Sequence, residues 1–217
     1  TIDTRIQNLE KKKTALAQYK KGVTQKIFKQ ELRFKPALSG VDGDDKKESK
    51  KWNFINLKDV FKRSTQKNID EKINFVLTNS ATKGIVSQND YFDKDIANQN
   101  NLQGYYVVNI NDFIYNPRIS EFAPVGPLKR NKLTKGVMSP LYTVLRPIKG
   151  NLDFFEYYFQ TTLWHRYMKS VANFGARHDR MNITISDFEN LPIPYPSLDE
   201  QTKIANFLSA IDEQINL

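Results

Sequence analysis

The chain has 217 residues, no cysteine, two histidines, 12% aromatics and a formal net charge of +9. One fair-sized core fits that length, while the residue counts exclude a disulfide scaffold, thiolate metal sites and multi-histidine sites. No apolar run approaches the roughly 20 residues that span a bilayer, and no signal peptide opens the sequence, so a soluble, cytoplasmic protein is expected.

A net positive charge points to an anionic partner, with nucleic acid the default. Its distribution matters more than its size. Residues 1–35 carry 10 Lys/Arg against 3 Asp/Glu, and residues 118–180 carry 11 against 4. Residues 36–117 balance at 11 each, and 181–217 hold one basic residue against 6 acidic ones. Two basic blocks on a near-neutral body fit a footprint better than diffuse solubilising charge does.

In chain order, residues 2–34 read as one long helix. Ile2, Leu9, Leu16 and Val23 recur every seven residues, and Ile6 and Ile27 fill the complementary positions of an a/d seam. Lys13 and Lys20 fall on the same seam, where polar residues cost stability but set partner and register. A rod of that length is about 50 Å long and needs another helix to cover the seam. Residues 36–51, rich in charge, Gly and Ser and free of aromatics, read as a linker. The globular body opens at Trp52. Strands are expected at 73–77 (INFVL), 105–110 (YYVVNI), 113–115 (FIY) and 138–145. Residues 152–168 predict an amphipathic helix whose stripe of Phe155, Phe159 and Leu163, broadened by Tyr158 and Met168, packs into the core. After a strand-like ITI and the proline-rich 191–196 segment, Ser197 and Glu200 form an S-x-x-E capping box. The helix that follows carries a second seam of Ile204, Leu208, Ile211 and Ile215. Its IDEQI (211–215) echoes IDTRI (2–6) in the same register, which suggests an internal repeat.

The usual catalytic constellations are missing from the sequence, so no catalytic residue, metal ligand or cofactor is expected. No G-x-G-x-x-G or P-loop motif occurs. Asn116-Pro117-Arg118-Ile119 is superficially like the N-P-P-aromatic motif of adenine methyltransferases, but Arg and Ile stand at its third and fourth places and it reads as a loop. Asp70-Glu71-Lys72 reads as a solvated turn rather than part of a nuclease site.

Three polar segments are candidates for DNA contact. Thr78–Gln88 reads as a hydroxyl- and amide-rich loop offering Ser80, Thr82 and Lys83, of the kind that suits phosphates and base edges, although an ordinary polar loop reads the same way. The long loop from Asn116 to Lys135 carries Arg118, Lys129, Arg130, Lys132 and Lys135. In ANFGARHDRMN (172–182), Asn173, Arg177, His178 and Arg180 supply donors, arginine being the commonest bidentate reader of guanine. Asp179 is placed to lock one of those arginines, and both a core role and a base contact fit His178.

The order of coil helix, linker, aromatic-opening body, N-P-R-I loop, R-H-D-R loop and proline-rich exit resembles half of the specificity subunit of a type I restriction-modification enzyme. ALAQYKKGVTQKIFKQELRF (15–34) and LPIPYPSLDEQTKIANFLSAID (191–212) carry the resemblance most specifically. It implies an α+β fold, a mixed target-recognition domain flanked by long helices that form an antiparallel coiled coil. The implied division is a coil helix at 1–35, a linker at 36–51, a recognition domain at 52–196 and the start of a second coil helix at 197–217. It further implies that the domain reads one half of a bipartite site on double-stranded DNA. The coil would dock methyltransferase subunits and, through them, restriction subunits, while methyl transfer and cleavage belong to those partners. One recognition domain corresponds to the second half of such a subunit or to a half-sized one. A second copy or the other half would then supply the other reader, and two copies would read an interrupted palindrome. Two other readings stand beside it: a recognition domain of a methyltransferase–nuclease fusion, and a coiled-coil scaffold that does not touch DNA.

Overall fold

The computed structural model describes residues 2–34, 51–91, 102–173 and 179–216. All of the expected linker except Lys51 lies outside those residues. In chain order the elements are α1 (Ile2–Phe28), β1 (Asn53–Asn56), a 3₁₀ turn (Leu57–Asp59), β2 (Phe61–Ser64), β3 (Leu77–Ser80), β4 (Gly84–Ser87), α2 (Gln88–Tyr91), β5 (Tyr106–Val108), β6 (Phe113–Tyr115), β7 (Leu128–Arg130), β8 (Gly136–Met138), β9 (Thr143–Pro147), α3 (Leu152–Gln160), α4 (His165–Val171), α5 (Ile185–Glu189), β10 (Pro192–Tyr195) and α6 (Leu198–Asn216). They form two compact units, one of Thr1–Ile55, Asp153–Leu163 and Ile193–Leu217, the other of Asn56–Leu152 and Trp164–Pro192. This divides the chain differently from the linear scheme, because most of α3 and β10 group with the coil helices. The expected α+β class is observed.

In the helical unit, α1 ends at Phe28 rather than running to residue 34. Gln30 adopts a left-handed φ of 63°, and the Gln30 and Glu31 amides donate back to the Ile27 and Lys26 carbonyls in the double-bonded pattern of a Schellman stop. The 27-residue helix is therefore about 40 Å long, shorter than expected. Gln30 compensates for its conformation: its side-chain Oε1 accepts from the Trp52 amide at 2.9 Å and from Arg33 at 3.2 Å. Phe28 then sits against Phe154, Tyr158 and Trp52, with ring centroids at 5.1, 5.5 and 6.1 Å.

α6 packs antiparallel to α1 and buries Ile204, Ala205, Leu208 and Ile211, while α1 buries Val23, Thr24, Ile27 and Phe28. Two ion pairs fix the alignment. Arg33 forks onto Glu200 at 2.8 and 3.2 Å, and Lys20 reaches both oxygens of Asp212 at 2.6 and 2.7 Å. The Glu200 amide donates to Ser197 Oγ at 3.2 Å, one half of the expected capping box, while the Glu200 carboxylate serves Arg33. Of the expected seam, Leu16 and Ile215 are half-buried, and Ile2, Ile6 and Leu9 are 80%, 49% and 58% exposed. With Lys20 opposite Asp212, α6 as described has no residues to lie against the first turns of α1.

The other unit is built on a four-stranded antiparallel sheet in the order β2-β9-β6-β7. Alternation along β6 sends Phe113 and Tyr115 to one face and Ile114 to the other. On the first face Phe61 meets Phe113 at 4.9 Å and Phe188 stacks on Tyr115 at 4.7 Å. On the second, Ile114 and Val144 form a core with Leu77, Val108 and Met138 from the hairpin β3-β4 and the pair β5-β8. Burial pushes the Tyr115 phenol far above its ordinary range, and its hydroxyl donates to the Val125 carbonyl at 2.8 Å. Asp112 is almost fully buried and receives both arms of Arg146 at 3.2 and 3.1 Å.

Four sequence expectations are corrected. The strand expected at 73–77 begins only at Leu77, because the Asn68 side chain grips both the amide and the carbonyl of Ile73 and bends the segment. Met138–Leu145 is two strands, β8 and β9, parted by a turn in which the Tyr142 amide donates to the Ser139 carbonyl at 3.1 Å. The helix expected at 152–168 breaks after Gln160, where buried Thr161 turns its hydroxyl onto the Tyr158 carbonyl at 2.7 Å. The strand-like ITI instead leads into α5, with Thr184 capping the Asp187 amide at 3.1 Å.

Candidate nucleic-acid interface

The segment expected as a polar loop at Thr78–Gln88 is a hairpin. β3 and β4 pair in register from Leu77↔Ser87 to Ser80↔Gly84, and Gly84 takes the left-handed φ of 75° that closes the turn. Its polar residues have separate structural duties. Ser80 is buried, and its Oγ accepts the Thr82 and Lys83 amides, so it holds the turn; Thr82 and Lys83 are exposed at the tip. Asn79, also buried, donates through Nδ2 to the Ile114 carbonyl at 2.8 Å and to the Pro127 carbonyl at 3.2 Å.

Asn79 supports the next segment. Its carbonyl accepts the Asn116 side-chain amide at 3.2 Å, and Asn116 Oδ1 accepts the Arg118 amide at 3.0 Å. The Asn116 amide donates to the Pro127 carbonyl at 2.9 Å, which closes the base of the 117–127 loop. Gly126 makes that closure possible, because a Cβ there would stand 2.1 Å from the Asn116 carbonyl oxygen. The stretch from Asn116 to Lys135, expected as one long loop, is thus a pinned loop followed by β7 and a tight turn.

The second and third candidate segments meet as well. Arg118 and Arg180 form an antiparallel bridge, flanked by bonds from the Ile119 amide to the Asp179 carbonyl at 2.9 Å and from the Met181 amide to the Pro117 carbonyl at 2.8 Å. The Asn173 amide donates to the Asn182 carbonyl at 2.8 Å and shuts the base of the second loop. Directly opposed like charges destabilise a ladder. Asp179 relieves this only partly: it is 3.7 Å from Arg180 and half-exposed. The bridge sets Arg118 and Arg180 opposite each other on pinned backbone.

Both arginines border a cleft of about 280 Å³, together with Thr78, Gln88, Tyr105, Asn116 and Tyr142. Thr78 and Tyr142 share a hydroxyl hydrogen bond of 3.0 Å in its wall.

The remaining expected residues divide. Arg130 spends Nε and Nη2 on Asn111 Oδ1 at 2.9 and 2.6 Å, holding Asn111 in its left-handed φ of 72°. Lys129 is half-buried on β7, while Lys132 and Lys135 are exposed on a turn organised by buried Asn131. Asn173 is exposed. Arg177 and His178 lie outside the described residues. Tyr105 and Tyr142 border the same cleft and carry no spacing signal, so only the tertiary fold gathers them with Gln88, the last residue of the Thr78–Gln88 segment. Among the described residues no acidic or histidine cluster could hold a metal ion, and no helix is long and apolar enough to cross a membrane.

With that geometry in place, a family model described as the type I restriction modification DNA specificity domain matches residues 49–217. The chain belongs to that family. Solved structures share the specificity-domain fold. The HsdS subunit from Thermoanaerobacter tengcongensis superposes with a TM-score of 0.57 at 17% identity, over 99% of this chain and 48% of that one. The type I restriction-modification S subunit from M. genitalium gives a TM-score of 0.57 at 14% identity, over 99% and 52%. The chain thus spans about half the length of these structures, and at such identities the likeness is one of fold. No curated protein matches the sequence.

Proposed function

We propose that this specificity domain reads one half of a bipartite site on double-stranded DNA, without catalysis of its own. The observation that carries the reading is the Arg118–Arg180 pair, two like charges locked opposite each other by flanking backbone bonds beside a cleft. Arg118 and Arg180 serve as the central cations, with Thr82, Lys83, Lys132, Lys135 and Asn173 as outlying contacts. Phosphate contacts position the domain, and base contacts specify the sequence. The α1–α6 pair serves as the coil that docks methyltransferase subunits and, through them, restriction subunits. A second copy or the other half of the subunit is the further partner of that coil.

The test is to co-produce the chain with a methyltransferase subunit in a host lacking other modification and to sequence the methylome. The expected result is a bipartite motif that is lost on replacing both Arg118 and Arg180 by Ala. In equilibrium binding to the motif duplex, each arginine that contacts a phosphate lowers the salt slope by about 0.9 when removed, whereas one reading a base costs about 1–3 kcal/mol at a single position. A double variant that leaves motif and affinity unchanged refutes the assignment.

A further inference from the structure

Residues bordering the cleft differ in how far their hydrogen-bonding capacity is already spent. The Thr78 hydroxyl is paired with Tyr142. Asn116 uses its amide on the Asn79 carbonyl and its Oδ1 on the Arg118 amide. Ser139 Oγ accepts the Leu141 amide, and Arg180 leans on Asp179. Beside the Tyr105 hydroxyl, two long polar side chains remain without a partner among the described residues: the Arg118 guanidinium and the Gln88 carboxamide. Arg118 is already assigned above. Gln88 is not.

Gln88 is rigidly based. Its own amide donates to the Val76 carbonyl at 2.8 Å, directly after the paired end of β4 at Ser87, so sheet backbone sets where the side chain starts. The carboxamide offers a donor and an acceptor side by side, the complement of the N6/N7 edge of adenine. A cleft of about 280 Å³ has room for one nucleotide unit and none for the width of a duplex, so what it reads is one position of a site. A surface glutamine with no role needs neither a fixed base nor a cleft shared with two arginines.

We infer that Gln88 is a specificity-determining residue that reads a single base, adenine by its hydrogen-bond pattern, beside the cations Arg118 and Arg180. This rests on the DNA-reading function proposed above and adds a residue to it. The experiment is enrichment of random-sequence duplexes by the chain in complex with its methyltransferase subunit, comparing wild type, Gln88→Ala and Gln88→Glu. Wild type should enrich a motif with adenine at one column. Gln88→Ala should lose preference at that column alone, by roughly ten- to a hundredfold, with the melting temperature held. Gln88→Glu, an acceptor only, should move that column toward cytosine. A Gln88→Ala complex that enriches the wild-type motif overturns the inference and leaves the DNA-reading function standing. A wild-type complex that enriches nothing overturns both.

Discussion

Replacing Asp212 by alanine removes two interactions at once. Lys20 holds both carboxylate oxygens at 2.6 and 2.7 Å, and the Tyr157 hydroxyl donates to Oδ2 at 2.8 Å. The Lys20 ammonium also lies 4.8 Å from the Tyr157 ring centre. Exposed ion pairs contribute about 0–1 kcal/mol, and breaking a fully buried one costs about 3–5 kcal/mol. Here the side chains are 15% and 35% exposed, so about 2 kcal/mol is the value to use for the pair. The lost tyrosine hydrogen bond adds about 1 kcal/mol, for a total near 3 kcal/mol. In a chain of 217 residues that corresponds to a Tm lower by about 6–12 °C. Lys20→Met should cost less, about 1–2 kcal/mol, because Asp212 keeps the tyrosine donor and some solvent. The double variant Lys20→Met/Asp212→Ala, which leaves no charge behind, should cost at least about 1 kcal/mol less than the sum of the two singles. Urea denaturation followed by circular dichroism completes the double-mutant cycle. Single effects that add within about 0.5 kcal/mol would refute the claim that this pair is coupled and sets the α1–α6 alignment.

Two further predictions concern the sheet unit. Gly126→Ala combines a left-handed φ of 82° with a Cβ 2.1 Å from the Asn116 carbonyl oxygen. It should cost about 2–4 kcal/mol and weaken the proposed DNA binding by displacing the Arg118 segment; an unchanged melting temperature would count against the pinned-loop description. His165 has its pKa lowered below 6.5 by burial and, secondarily, by Lys169. Both states are therefore neutral above pH 6.5, and below it the unfolded chain takes up the proton first, so stability falls as the pH is lowered from 6.5 toward the folded-state value. His165→Gln should flatten the pH dependence of Tm in that window, and a curve with the wild-type slope would show that another group is responsible.

The sequence carried the coil helices well because heptad spacing is a local signal: Val23, Ile27, Ile204, Leu208 and Ile211 are buried as the seam requires. Lys20 falls on the same seam, where Asp212 of α6 meets its charge. The stop of α1 was illegible because it depends on Gln30 taking a conformation that glycine usually supplies, a choice the Trp52 and Arg33 contacts help to hold. The strands of the recognition body were read only approximately. Short buried runs such as FIY are unambiguous, whereas the break at Ile73 comes from a side-chain grip on backbone and the Ser139–Tyr142 turn from a backbone bond, neither of which composition reveals. For the site, the basic blocks were legible as charge, but Arg130 turned out to clamp Asn111 and Ser80 to hold a turn.

What the sequence alone determined is the family resemblance, the coil register and the concentration of cations, since each is written in residue type and spacing along the chain. The tertiary structure decided which of those cations stand together. Arg118 and Arg180 are far apart in sequence and face each other only because Asn79, Asn116 and Gly126 pin one loop and backbone bonds from Pro117 and Ile119 tie it to the other. Such a pairing is a property of long-range backbone hydrogen bonding between loops, and no local pattern encodes it.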